Sequence, residues 1–233
     1  MTIKKLFLTT ISGLAVILAT PLYATNVPIN YLTPNAGFTN GTSTSATYTV
    51  NGNLTFSAYG YNYSSPTVLG TTTALFTKNA GVGEIGLGLA NDPSGQTEIT
   101  KDTFIQLDLS GLRALGATTV LLSVSSDTST EAGQFYTSTT KGILGTSLGA
   151  SYAVVSTASG TTTAYTFMLP SIGTSYFIGL TETTVGGNIL LGPSSINYTP
   201  SAAPEPATFG MIGLALLGLG AAQVRKRKAA QSV

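Results

Sequence analysis

Nucleophilic and general-base catalysis need particular side chains, and this sequence lacks the commonest of them. It contains no His and no Cys. Imidazole bases, thiolate nucleophiles, zinc thiolates and disulfides are therefore excluded. Some short patterns still match catalytic or cofactor signatures. "GVGEIG" sets Gly81, Gly83 and Gly86 at the spacing of a dinucleotide loop. That loop needs a strand before it and a helix after it. Here alternation runs on through Leu89, and "NDPSG" then makes a turn. "GTSLG" centres Ser147 as in a nucleophile elbow, and "STTK" spaces Ser138 and Lys141 as in a Ser-x-x-Lys pair. The first has no His to activate it, and the second needs a helical turn where the sequence signals strand and turn. In a chain so rich in Ser, Thr and Gly these are coincidences of composition.

Oxygen ligands remain. "NDPSGQTEITKD" brings Asn91, Asp92, Gln96, Glu98 and Asp102 into one Gly/Pro-containing loop. Hard cations such as Ca²⁺ take ligands of this kind. Asp92, Glu98 and Asp102 are thus a candidate calcium set, although the spacing is not that of an EF-hand. A solvated hairpin loop is the plainer reading, and no other cofactor is expected. Glycoside hydrolysis requires two carboxyl groups about 5–9 Å apart. Glu84, Glu98, Asp108 and Glu131 could be paired in this way, but a sequence does not give their separation. The remaining chemistry is sugar binding, in which aromatic rings stack on saccharides. "YGYNY" sets Tyr59, Tyr61 and Tyr63 on one strand face, with core or rim packing as the alternative.

These residues are carried by a body that reads as all-β. Charged residues make up only 8% of the chain and apolar residues 42%, which is not the signature of disorder. Thr, Val and Tyr favour strands and Gly supplies turns. In "ATYTVNGNLTFSAYGY" the Asn51-Gly52 pair signals a hairpin. A two-residue loop would scatter apolar groups over both faces. A three-residue loop pairs Val50 with Leu54 and Tyr48 with Phe56, leaving Thr47, Thr49, Thr55 and Ser57 on the other face. A one-residue slip inverts faces, so the odd loop is expected. "EIGLGL" turns Ile85, Leu87 and Leu89 inward with its glycines outward. "FIQLDL" does the same with Ile105, Leu107 and Leu109, placing Gln106 and Asp108 opposite. "TTVLLSVSS", "GQFYTS", "SYAVVS", "AYTFML", "SYFIGLTE" and "GNILLGPSSINY" continue the series, and "SGLRALGA" allows one helical turn. Short strands with turns at this spacing predict an antiparallel β-sandwich or jelly roll. Residues 25–45, rich in Asn, Pro and Thr, are expected to be a flexible or weakly paired segment, with the sandwich spanning 46–199.

Both ends carry membrane signals. "MTIKKLFLTTISGLAVILATPLYA" has Lys4 and Lys5, an apolar stretch and small residues before Ala24. This is a secretory signal helix over residues 1–24, with cleavage after Ala24 by signal peptidase. An uncleaved anchor is the alternative. Residues 200–206 form a linker. The apolar run Ala207–Val224 would span about 27 Å as a helix, enough for a transmembrane segment. Arg225, Lys226, Arg227 and Lys228 follow it and should stay cytoplasmic in a basic tail, 225–233. Between Thr25 and Ala203 there are four cations against eight anions. No basic patch for nucleic acid exists there.

Pro204-Glu205-Pro206, the apolar span and the cation block together resemble the PEP-CTERM sorting signal. The stretch from Gly83 to Tyr198 also resembles a β-rich module that recurs in such proteins, through "FIQLDLSGLRAL", "GILGTSLG" and "YFIGLTETTVGGNILL". The resemblance implies a precursor held in the inner membrane, recognition of Pro204, Glu205 and Pro206 by an exosortase, and delivery to the cell envelope, surface or extracellular matrix of a bacterium that secretes polysaccharide. The expected function is a non-enzymatic surface or matrix protein associated with exopolysaccharide. A carbohydrate-binding module for the cell's own polysaccharide is the alternative, and a glycoside hydrolase the third.

Overall fold

Period-two alternation governs the body, and the ladders follow it. The protein is described here by a computed structural model, which covers residues 24–81, 84–91, 95–126, 131–149, 152–153, 163–170 and 173–199. The strands, in chain order, are β1 (Thr25–Ile29), β2 (Ser45–Val50), β3 (Leu54–Asn62), β4 (Thr71–Thr73), β5 (Leu75–Asn79), β6 (Ile85–Leu89), β7 (Thr103–Asp108), β8 (Ala117–Ser125), β9 (Ala132–Ser138), β10 (Thr146–Ser147), β11 (Tyr152–Ala153), β12 (Thr163–Met168), β13 (Phe177–Glu182) and β14 (Leu190–Tyr198). Their pairings are antiparallel. The first sheet runs β12-β8-β14-β6-β5, with β1 also on β14. The second runs β10-β9-β13-β7-β3-β2, with β11 on β9 and β4 on β3. Leu112–Leu115 make a single 3-10 turn where one helical turn was expected.

The inward rows of both sheets meet in one apolar core. Leu54, Ile105, Leu107, Phe135 and Leu180 come from the second sheet, and Leu87, Leu122, Val124 and Leu191 from the first. Full burial of one such side chain contributes about 1.5–3 kcal/mol. The hairpin has the three-residue loop: Val50 pairs with Leu54 and Tyr48 with Phe56. Asn51 and Gly52 take the left-handed φ values of 52° and 74° that this turn requires. Tyr48 stacks on Phe56 with ring centroids 5.4 Å apart. On the opposite face Thr49 hydrogen-bonds Thr55, and Thr47 hydrogen-bonds Ser57.

Residues 25–45, expected to be flexible, are tied to both sheets. β1 pairs with β14 over five residues, from Thr25↔Tyr198 to Ile29↔Ser194. Ile29 and Tyr31 are buried. Beyond them, Asn35 caps the open edge of β2: its N–H donates to Thr47 O at 2.7 Å, and its Oδ1 accepts the Thr49 N–H. Asn40 does the same at the edge of β5, where its Oδ1 accepts the Thr77 N–H at 2.7 Å. The segment thus crosses from the edge of one sheet to the edge of the other.

The β6 glycines lie on the outward face, as the alternation predicts, but they are not open to solvent. A Cβ on Gly88 would come 2.1 Å from Thr97 O, because the chain returns across the sheet there. Gly52 has open space around it and only its positive φ to satisfy. Gly88→Ala is therefore expected to cost about 2–3 kcal/mol by overpacking against backbone, and Gly52→Ala about 1 kcal/mol from backbone strain alone. Chemical unfolding of the two variants checks the order, and an equal or larger loss at Gly52 would contradict it.

Candidate functional site

The tyrosines expected to form a sugar platform share the outward face of β3, with Tyr63 just beyond its end. Ladder register places Tyr59 opposite Gln106 and Tyr61 opposite Phe104. Tyr61 is only 3% exposed and stacks on Phe104 at 5.0 Å between centroids. Tyr63 meets the same Phe104 edge-on at 5.4 Å. Burial and the neighbouring Tyr59 push the Tyr61 phenol up to about 12. Tyr61 is therefore part of a second small apolar cluster with Phe104 and Leu144. This corrects the platform reading, which requires an open ring face.

The cover over Tyr61 comes from far along the chain. Gln106 is fully buried, and its side chain holds the 139–145 loop. Its Nε2 donates to Thr140 O and Ile143 O at 3.3 and 2.9 Å, and its Oε1 accepts the Gly142 N–H at 2.7 Å. Leu144 then fills the space left by Gly179, where a Cβ would come 2.5 Å from Leu144 Cδ1. The loop at 66–70 joins in through Gly70 N–H to Gly142 O and Gly145 N–H to Pro66 O. Lys141 lies over Tyr59, with Nζ 3.6 Å from the ring centroid. That leaves Tyr59 half-buried beneath a cation. Beside the loop is a recess of about 370 Å³ lined by Thr137, Ser138, Thr139, Thr140, Ile143, Gly145 and Thr146.

The candidate calcium set is divided. Asp92 lies outside the described residues. Glu98 is 4% exposed and is held by Lys78 at 2.5 Å, while Lys78 also bridges Glu84 at 3.1 Å. Burial pushes the Glu98 carboxyl up, and Lys78, shared between two carboxylates, does not offset it. Asp102 borders a separate recess of about 320 Å³ with Thr100, Lys101, Val185, Gly186, Gly187 and Asn188. Among the described residues no group of three or more acidic side chains is gathered to hold a metal ion. Of the carboxyls considered for hydrolysis, Glu84 and Glu98 meet at Lys78, while Asp108 accepts the Ser110 N–H. Ser147 is in β10, and Ser138 hydrogen-bonds the backbone of Thr140.

Sequence reasoning missed Glu182. It closes β13 in phase with Ile178 and Leu180, on the core-facing row, and is 1% exposed. Burial pushes its carboxyl up against the pull of the Thr184 and Ala132 N–H groups. The signal was present in "YFIGLTE", where an acid occupies an inward position of the alternation.

Ala24 is the first described residue. Pro204, Glu205, Pro206 and the Arg225–Lys228 block lie outside the described residues, as do the expected signal and membrane helices. Among the described residues no helix is long and apolar enough to cross a membrane.

Comparison with known proteins identifies the tail. Residues 202–227 match the PEP-CTERM protein-sorting motif, so the chain carries the sorting motif of an exosortase substrate. No curated protein matches the chain. Among solved structures, the body is similar to a native family 35 carbohydrate binding module from Clostridium thermocellum, at 16% identity over 67% of this chain and 95% of that one, with a TM-score of 0.34. It is also similar to a family 6 carbohydrate-binding module studied by X-ray crystallography and isothermal titration calorimetry, at 17% identity over 75% and 93% of the two chains, with a TM-score of 0.22.

Gln106→Ala leaves the Gly142 N–H and the Thr140 and Ile143 carbonyls without their partner. The expected loss is about 3 kcal/mol, together with faster hydrogen exchange at Gly142. Unchanged exchange there would mean that the loop is held by other contacts.

Proposed function

We propose that this chain is an exported, non-enzymatic component of the cell surface or extracellular matrix, delivered by its PEP-CTERM tail. The sorting motif at residues 202–227, behind a folded β-sandwich, carries this reading. Proline has a fixed φ and no backbone N–H, so the sequence at Pro204 and Pro206 disfavours a helix or a ladder. Glu205 adds a charge between them. An extended, unpaired and charged segment is what a membrane protease-transpeptidase can thread. The apolar run and the cation block after it hold the precursor in the inner membrane with the body outside the cytoplasm. Glu205→Ala is expected to leave full-length precursor in the inner-membrane fraction, read by immunoblot and by mass spectrometry of the mature product. Normal trimming of that variant would overturn the sorting role of the tripeptide.

A second reading, binding of the cell's own polysaccharide, is supported by the hydroxyl-lined recess at Thr137–Thr140 and Thr146. Hydroxyls both donate and accept, which suits a neutral sugar. Affinity electrophoresis through the producing cell's polysaccharide should retard the protein, and Thr139→Val with Thr146→Val should release it. Equal mobility with and without polymer would remove this reading and leave the structural one.

A further inference from the structure

Core-facing rows from both sheets end in polar groups at the same end of the sandwich. On β13 the row is Ile178, Leu180, Glu182. On β9 it is Phe135 and Gly133, with Glu131 in phase one residue before the strand. On β8 it is Leu122 and Val124, with Ser126 in phase just after it. Register Glu182↔Gly133 sets the two acidic rows side by side. A Cβ on Gly133 would meet Val124 of the first sheet, Leu180 of its own sheet and Ile189 just before β14, so the sheets are in close contact here. The Ser126 hydroxyl donates to Glu131 Oε2, joining β8 to the start of β9.

The partners of these carboxylates can be followed atom by atom. Glu182 Oε1 accepts the N–H groups of Ala132, at 3.2 Å, and Thr184, at 2.6 Å. Its Oε2 is buried and has no hydrogen-bond partner. Glu131 is 8% exposed, and its Oε1 accepts the Asn188 N–H at 2.8 Å. A Cβ on Gly187 would come 2.9 Å from Glu182 Oε1, so both carboxylates reach the Gly187–Asn188 peptide. Among the described residues no Lys or Arg bridges either acid, and Lys78 is engaged by Glu84 and Glu98.

We propose that Glu131 and Glu182 bind a hard divalent cation, Ca²⁺ by preference, which caps this end of the sandwich and ties the start of β9 to the turn between β13 and β14. Buried carboxylates are costly unless paired or coordinated, and N–H groups cancel only part of a full charge. A divalent ion offsets both charges and gives Glu182 Oε2 a partner. Ca²⁺ accepts about six to eight oxygens in flexible geometry. Two carboxylates, the Ser126 hydroxyl, main-chain carbonyls and water make up such a set without a third acid. The recess lined by Thr100, Lys101, Asp102, Val185, Gly186, Gly187 and Asn188 includes the Gly187–Asn188 peptide that both carboxylates reach. The site's ligands differ from the 91–102 loop set: Asp102 only borders the recess, and Glu98 is held by Lys78. It is also independent of the sorting role.

The test is calorimetric titration of CaCl₂ into the full chain, purified in detergent and stripped with EDTA, at neutral pH. Saturable one-to-one binding is expected, with a rise of about 5 °C or more in the thermal midpoint followed by circular dichroism. Glu182→Gln and Glu131→Gln keep the shape and remove the charge, and each should weaken binding about tenfold or more. Glu98→Gln should leave it within about twofold. These are reductions expected for the loss of one ligand charge. No heat and no thermal shift in the wild-type chain overturns the proposal, and that result needs no variant to fold. Undiminished binding in Glu182→Gln, or loss in Glu98→Gln in its place, also overturns it, the latter pointing to the 91–102 loop.

Discussion

A buried polar group left without a partner costs more than the hydrogen bond it would make is worth, and that asymmetry accounts for two of the long-range ties outside the apolar core of this domain. With no Cys there is no covalent staple, and among the described residues two connections are held by a buried polar side chain. Gln106 does this for the 139–145 loop through three main-chain partners. Glu182 does it for the turn after β13 and the start of β9, with N–H bonds from Thr184 and Ala132. Asn35 and Asn40, both exposed, cover the backbone edges of β2 and β5 instead. An exposed edge strand is a template for unwanted pairing. The N-terminal segment places one amide side chain against β2 and another against β5, the terminal strands of the two sheet orders.

The hairpin was legible in the sequence because its constraints are local. Asn51-Gly52 fixes a turn, and the parity of Tyr48, Val50, Leu54 and Phe56 fixes the register around it. The same holds for Ile105, Leu107 and Leu109, whose core-facing row follows from alternation alone. The edge caps were not legible, since an Asn in a Pro/Thr-rich stretch reads as loop whether or not it meets a strand edge. Their effect depends on which strands end up terminal, a property of the whole topology.

The tyrosine face failed for a related reason. Alternation correctly puts Tyr59 and Tyr61 on one side of β3, but it does not say whether that side is covered. The cover is Leu144 and the loop around it, some eighty residues further on, together with the chain at 66–70. Gly179 was the available hint. A glycine in the middle of an otherwise apolar strand marks a close approach, and here the approach is made by Leu144. Glu182 was hidden by the opposite habit: an acid at the end of a strand reads as the step into solvent. Only the period-two count, carried through to the last residue of "FIGLTE", shows that it points into the gap between the sheets.

Delivery and activity therefore rest on separate parts of the chain. A sorting tail acts on an extended segment and membrane-length residues, and it places no requirement on the body beyond folding outside the cytoplasm. What the body does must be read from the body. With charged residues at only 8% of the chain, its solvent-facing polarity comes mainly from Thr and Ser, as on the Thr47, Thr49, Thr55 and Ser57 face of the hairpin. Such a surface is neutral and densely hydroxylated, and little of its character changes with salt, because screening acts on charges. The few charges that are buried stand out against it. Glu98 has Lys78, whereas among the described residues Glu131 and Glu182 are met by N–H and hydroxyl donors and by no cation. Of the buried polar atoms without a partner among the described residues (Tyr31 Oη, Thr73 Oγ1, Asn197 Oδ1 and Glu182 Oε2), the carboxylate oxygen is where an outside ion would add most.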